Sequence, residues 1–186
     1  MPADGLYYDN EFDRHIKTAA FNVRFARSYG HEVSMNAILT AMYTDMSSVE
    51  SFNTLYLIFH GGRSRTEDSS QQMSYYIEGT SIHIGNGRLT SGNVQLLSPF
   101  RGHVRQIFLF SCSIASSQGS AFRPVGEPSG FDFCSSIARV TGAHVYASAD
   151  VQFISQVQRH QFNGRVYLFN PDGTNQMQQD IPPVRD

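Results

Sequence analysis

Four short apolar blocks, Thr54 to Phe59, Gln106 to Phe110, His144 to Ala147 and Arg165 to Phe169, constrain the fold of this chain more than any other feature. Each is rich in β-branched and aromatic residues and runs nearly without polar interruption. Strands buried on both faces have this pattern, and they belong to parallel sheets covered by helices. The connections agree. In Gly130 to Thr141, the residues Phe131, Cys134, Ile137 and Ala138 share one helix face, and Gly142 is a natural C-cap. Ser34 is placed to cap a helix through about Met46, with Met35, Ile38, Leu39 and Met42 as its apolar stripe. The predicted fold class is α/β, a mostly parallel central sheet flanked by helices, and 186 residues is about one domain of that kind.

Other stretches carry weaker patterns. Phe12, Ile16, Ala19, Ala20 and Val23 fall at helical spacing within Asp9 to Arg27, although Phe21, Val23 and Phe25 also alternate like a strand. The expectation is a helix there, giving a helical amino-terminal part over 1–50, a core over 54–173 and a flexible tail over 174–186. Tyr75-Tyr76-Ile77 and Ser81 to Ile84 flank Glu78-Gly79-Thr80 like a small hairpin, and Gly92 to Phe100 has the length of a short helix. Gly61 to Gln72 and Ser116 to Ser129 read as long loops, the second of a kind where chains are nicked, although Pro124 argues against a cut directly after Arg123.

Charge and composition exclude several partners. A formal net charge of −2 leaves no electrostatic footprint for nucleic acid or anionic lipid. The longest apolar run, Leu55 to Phe59, is far short of the roughly 20 residues of a membrane helix. Cys112 and Cys134 match no metal spacing and are too few for a disulfide framework, so a reducing, cytoplasmic setting is expected. Lys17 is the only lysine among 14 basic residues. Coding bias accounts for that, and the alternative is a protein delivered into a host cell, where lysine is a ubiquitin acceptor.

In open parallel sheets the site forms beyond the carboxyl ends of the strands. The first block ends Phe59-His60-Gly61-Gly62, the second Phe110-Ser111-Cys112-Ser113, and the third Ala147-Ser148-Ala149-Asp150. If the first two strands are neighbours, His60 and Cys112 project from adjacent edges, a thiol nucleophile beside an imidazole able to take its proton and later protonate a leaving group. Gly61, with no Cβ, lets its backbone N–H point into a site that a larger residue would crowd. Each residue also has a purely structural reading: Cys at a strand end as a small core residue, His as a local hydrogen-bond partner. Cys134 lies on the apolar helix face and reads as core. His15, His31, His83, His103, His144 and His160 include no i, i+4 pair and no Cys neighbour, so the spacing identifies no metal site, and no cofactor is implied. An α/β-hydrolase is excluded because Phe110 and Ile114 stand where its nucleophile elbow needs glycine. Gly85-Asn86-Gly87-Arg88-Leu89-Thr90 likewise ends in Thr where a dinucleotide fingerprint needs Gly.

The order and content of these strand exits resemble the caspase-like cysteine peptidases of clan CD. Leu57-Ile58-Phe59-His60-Gly61 matches an apolar strand ending in His-Gly, and Phe108-Leu109-Phe110-Ser111-Cys112 a later strand ending in Cys after a small residue. Ile82-His83-Ile84-Gly85-Asn86-Gly87, Leu89-Thr90, Phe131 to Ala143 and Val145 to Ser148 are similar to uncharacterised caspase-like domains of large bacterial proteins, and the resemblance spans about Thr54 to Gly173. It implies a cysteine endopeptidase acting on a protein or peptide substrate, with Cys112 and His60 as the catalytic dyad and the Gly61 and Cys112 amides as the oxyanion hole. It also places Ala149-Asp150-Val151 at the pocket for the residue before the cut, where the Asp150 carboxylate would favour a basic side chain. Asp150 has an equally open structural reading, as the end of a strand or the cap of a turn. The alternative function is a non-catalytic caspase-like module that binds a peptide or partner protein.

Overall fold

A computed structural model describes residues 3–50, 52–68, 73–116, 129–152, 157 and 161–178. Among the described residues ten strands form two sheets. The larger contains β1 (Ala3–Asp9), β2 (Phe25–Tyr29), β3 (Phe52–Ile58), β7 (Val104–Leu109), β8 (His144–Ser148), β9 (Val166–Phe169) and β10 (Asn175–Gln178), in the spatial order β10-β9-β8-β7-β3-β1-β2. The first five of these are mutually parallel, β9 runs antiparallel to β8, and β10 runs antiparallel to β9. The mostly parallel α/β sheet expected from the four apolar blocks is therefore present, with the fourth block running against the others.

Continuous apolarity has the expected cause. Leu55, Leu57 and Phe59 face one core, with Ile107, Leu109, Val145 and Ala147 beside them, while Tyr56 and Ile58 face the other. Both faces of β3 are buried, so neither set of alternate positions is free to be polar. On the first face lie α1 (Met35–Ser47) and α2 (Gly130–Thr141), which supply Ile38, Leu39, Met42, Phe133, Cys134 and Ile137. Ser34 caps α1 by accepting a hydrogen bond from the Ala37 N–H at 3.2 Å. Ser129 and Asp132 start α2 with a reciprocal capping box, and Gly142, at φ +70°, ends it in the left-handed region that favours glycine. The second face is a pile of aromatic rings, with Phe108 stacked 4.7 Å from Tyr146 and Phe110 stacked 4.4 Å from Phe162.

Several expectations are corrected. Asp9 to Arg27 forms two 3-10 segments, Asn10–Phe12 and Thr18–Phe21, and then enters β2, where the sequence predicts a helix. Asn22 adopts the left-handed conformation at φ 44° and ends the second segment. The short segments suffice because they need only lay Ile16 and Phe21 over the aromatic face. Within 1–50 the chain thus supplies two sheet strands, β1 and β2, ahead of α1, where the sequence predicts two helices. Glu78-Gly79-Thr80 is no turn, since β5 (Met73–Ile84) continues through it as strand, with a register shift against β4 there, between β4 (Gly61–Asp68) and β6 (Gly87–Thr90) in a three-stranded antiparallel sheet. That sheet also replaces the loop expected over Gly61 to Gln72 as far as Asp68, and 69–72 lies outside the described residues. Val94–Phe100 is a 3-10 segment with Pro99 inside it. Asn175 to Gln178 pairs with β9, so the tail begins as an edge strand, and 179–186 lies outside the described residues, as does the Ser116 to Ser129 loop over 117–128 with Arg123.

One buried polar cluster ties α1 to the sheet. Asp45, 4% exposed, accepts hydrogen bonds from the Tyr7 hydroxyl at 2.8 Å and from Arg27 Nε and Nη2 at 2.6 Å each. Burial disfavours its charge, and the Arg27 and Tyr7 hydrogen bonds outweigh that, leaving the carboxyl below its ordinary pKa. A carboxylate depressed on folding contributes stability above its unfolded pKa of about 3.9 and loses that contribution as pH falls through the lower folded value. Asp45→Ala strands the buried Tyr7 hydroxyl and is expected to cost about 1–3 kcal/mol at pH 7. Urea unfolding of both proteins from pH 7 downward checks this: the difference shrinks below about pH 4.

Candidate active site

The registry of two neighbouring strands brings His60 and Cys112 to one edge. Leu57 pairs with Leu109, so each of the two residues lies three positions beyond the same paired row. The Phe110 N–H donates to the Leu57 carbonyl at 2.9 Å, which keeps the exits together past the last paired residues. Beyond that point Gly61 meets Cys112 backbone to backbone: a Cβ on Gly61 would sit 2.2 Å from the Cys112 carbonyl oxygen and 3.2 Å from its nitrogen. No residue but glycine fits that approach without moving the cysteine.

The cysteine loop is pinned from its other side. Ser113 takes φ +51°, a left-handed conformation uncommon outside glycine, and its N–H donates to the Asp150 carbonyl at 3.1 Å. Ala115 N–H donates to the Ser148 carbonyl at 2.9 Å. Cys112 is thus exposed on a turn stitched to β8, and its thiol is free. Its Sγ lies 4.0 Å from the Gln152 carbonyl oxygen. Cys134 is fully buried, as its place on the α2 face requires, and burial pushes its thiol pKa up.

His60 is oriented by residues that sequence reasoning placed elsewhere. Its Nε2 is 3.1 Å from Glu11 Oε2, and its ring lies 4.7 Å from that of Phe12. Glu11 follows β1, the neighbour of β3 on the side away from β7. The other Glu11 oxygen is 3.0 Å from His31 Nε2, and hydrogen bonds from His31 and His60 hold the Glu11 carboxyl below its ordinary pKa. The parallel strands run β2-β1-β3-β7-β8, so the connections change direction between β1 and β3. That is the switch point where ligands bind in doubly wound sheets. His60 and Glu11 stand at it. The signal for Glu11 was in the chain: Gly5-Leu6-Tyr7-Tyr8-Asp9 is a fifth strand block, and the helical spacing that follows it obscured its exit.

Asp150 does not reach into an open pocket as a free carboxylate. Its Oδ2 accepts from the Arg165 N–H at 2.7 Å, and its Oδ1 lies 3.1 Å from Arg165 Nη2. These contacts hold its pKa below the ordinary carboxylate range. Gly164, at φ +67°, packs so closely against it that a Cβ there would meet Asp150 Oδ2 at 2.2 Å. The residue builds the turn into β9. Accordingly, Asp150→Asn is expected to leave the preference for the residue before any cut unchanged in a peptide-library profile, where a specificity carboxylate would lose tens-fold on Arg substrates.

No family model matches the chain, and no curated protein matches it. A solved structure, protein GSU0716 from Geobacter sulfurreducens, is similar at 13% identity and a TM-score of 0.41, covering 84% of this chain and 81% of that one. Among the described residues no helix is long and apolar enough to cross a membrane. A cavity of about 370 Å³ between α1 and the Val94–Phe100 segment is lined by Leu39, Tyr43, Leu96 and Phe100 among others, and by none of the strand-end residues.

Proposed function

We propose that the chain is a caspase-like cysteine endopeptidase acting through Cys112 and His60. The observation that carries this reading is the convergence of the two strand exits, with Gly61 pressed against the Cys112 backbone. In the proposed reaction His60 removes the Cys112 proton and the thiolate attacks the scissile carbonyl carbon. The oxygen becomes an oxyanion facing the Gly61 and Cys112 amides, and the C–N bond breaks as His60 returns the proton to the leaving amine. Water then hydrolyses the thioester. Glu11 occupies His60 Nε2, so Nδ1 is the ring nitrogen left to exchange protons with the thiol. A preference for basic residues is not part of this proposal, because Arg165 already neutralises the Asp150 carboxylate.

A second reading has its own support. Cys112 Sγ faces the Gln152 carbonyl and His60 faces Glu11, an arrangement that also suits a groove holding a peptide without cutting it. A thiol-directed irreversible peptidyl probe separates the two. Under the peptidase reading the probe's mass is added to Cys112 rapidly in the wild type and far more slowly in His60→Ala. Labelling at the same slow rate in both proteins would leave the binding module standing.

A further inference from the structure

The exit of β2 carries a side chain to which the proposed reaction gives no role. Asp9 pairs with Tyr29 across the parallel strands β1 and β2, so His31, two residues past Tyr29, arrives beside Glu11, two residues past Asp9. The His31 imidazole meets oxygen at both ring nitrogens. Its Nε2 is 3.0 Å from Glu11 Oε1 and 3.7 Å from Asp9 Oδ2, and its Nδ1 is 3.5 Å from the Gly85 carbonyl oxygen, in the turn between β5 and β6. A neutral imidazole has one N–H, so either tautomer would set a lone pair against an acceptor. Only the imidazolium donates on both sides. We infer that His31 is a positioning residue of the active site, whose imidazolium holds Glu11 in the place from which Glu11 fixes the His60 ring.

The need for a second hold on Glu11 follows from exposure. The Glu11 side chain is 54% exposed and that of His60 42%. A single exposed pair seldom repays the freedom lost in ordering so long a side chain. His31 adds a bond to the other Glu11 oxygen, and it rests in turn against Asp9, whose side chain is buried and whose Oδ1 accepts the Glu11 N–H at 3.0 Å. The anchoring thus runs from a buried carboxylate, through His31 and Glu11, to His60 Nε2. Charge agrees with geometry, since the His31 cation between the Asp9 and Glu11 carboxylates offsets their repulsion. His60, from the exit of β3, and His83, on β5, also face this corner, and burial followed by the Arg88 charge pushes the His83 pKa down. Glu32, next in the chain, lies against Gly30. The Glu11 hydrogen bond, and after it the Asp9 charge, hold the His31 pKa above its ordinary value of about 6.5. The cation is therefore present at neutral pH and is lost as pH rises through the higher folded value.

The effect on rate rests on the peptidase reading, and the experiment keeps the two apart. Full-length wild type, His31→Gln and His31→Lys are assayed for peptide hydrolysis across neutral and alkaline pH. At neutral pH His31→Gln is expected to lower kcat about tenfold with KM little changed, a part of the 10²–10⁴-fold or so that general acid–base catalysis supplies. His31→Lys keeps a cation to higher pH and restores most of that loss. The wild-type kcat falls toward the His31→Gln value as pH rises through the His31 pKa, and in His31→Lys the fall moves to higher pH, shifts that a merely structural role would not produce. His31 is 52% exposed, so neither change disturbs the core. In the full-length Cys112→Ala protein, nitrogen NMR of the rings is expected to show His60 with its proton on Nε2, and a mixture of tautomers once His31→Gln is added. If His31→Gln matches the wild-type kcat at every pH while hydrolysis still requires Cys112, the inference is overturned and the peptidase reading stands. If hydrolysis does not require Cys112, the peptidase reading falls and the spectra decide: an unchanged His60 tautomer overturns the inference, and a mixed one upholds it.

Discussion

Replacing Cys112 with alanine is expected to reduce peptide hydrolysis by about 10⁴-fold or more while leaving the fold in place. The first half follows from the chemistry: without the sulfur no thioester forms, and the imidazole and oxyanion-hole amides that remain supply only residual catalysis. The second half follows from position. Cys112 is exposed, and the loop carrying it is held by the backbone bonds from Ser113 and Ala115, which an alanine side chain does not touch. Stability should therefore change by no more than about 0.5 kcal/mol. His60→Ala is expected to reduce turnover to a similar level, and the double variant little further, because residues acting as one unit are strongly non-additive. Turnover of a peptide library together with urea midpoints checks both halves. Full activity in Cys112→Ala would end the proposal.

Gly61→Ala tests the same site through its backbone. The added methyl would lie 2.2 Å from the Cys112 carbonyl oxygen, a backbone atom that cannot swing aside as a side chain could. One strand exit must move. Overpacking of this kind costs about 1–3 kcal/mol, and a displacement of about 1 Å between reacting groups costs about a hundredfold in rate. The variant is thus expected to fold, to melt lower, and to lose at least about a hundredfold in kcat/KM, with probe labelling of Cys112 slowed in parallel. Gly92→Ala is the control: its Cβ would meet only Thr90 Oγ1, at an ordinary 3.6 Å, and neither stability nor rate should move appreciably. Equal behaviour of the two variants would mean that the contact between Gly61 and Cys112 is incidental to function.

How far the sequence could be read follows from how local each signal is. The double-faced burial of β3 and β7 is written in consecutive apolar residues, the start of α1 in Ser34 and the end of α2 in Gly142, so these elements were legible. The path from Asp9 to Arg27 was not. Its apolar residues fit a helical period, but the register of β2 against β1 and the cover over the aromatic face decided its shape. At the candidate site, His60 and Cys112 could be found because both follow strong strand patterns. Glu11 follows a strand block whose exit the helical spacing after it obscured, and His31 becomes a neighbour of Asp9 only through pairing between distant segments. Asp150 was found at the right strand exit, and only the partner Arg165, 15 residues further on, decides what its carboxylate touches.

The central position of β3 has a kinetic consequence. Its partners on the two sides are remote in the chain: Phe52 pairs with Ala3 in β1 and with Val104 in β7. No hairpin or other short-range contact can nucleate either pairing, so about fifty residues of loop-closure entropy must be spent before either ladder rewards it. During synthesis, β1 must emerge with its apolar edge open and wait for β3, and β3 must then wait for β7. The chain should therefore fold on the slow side for its size and depend on protection of those early strands from one another's copies. The edge at which Gly61 packs on the Cys112 backbone forms only when the last of those waits is over.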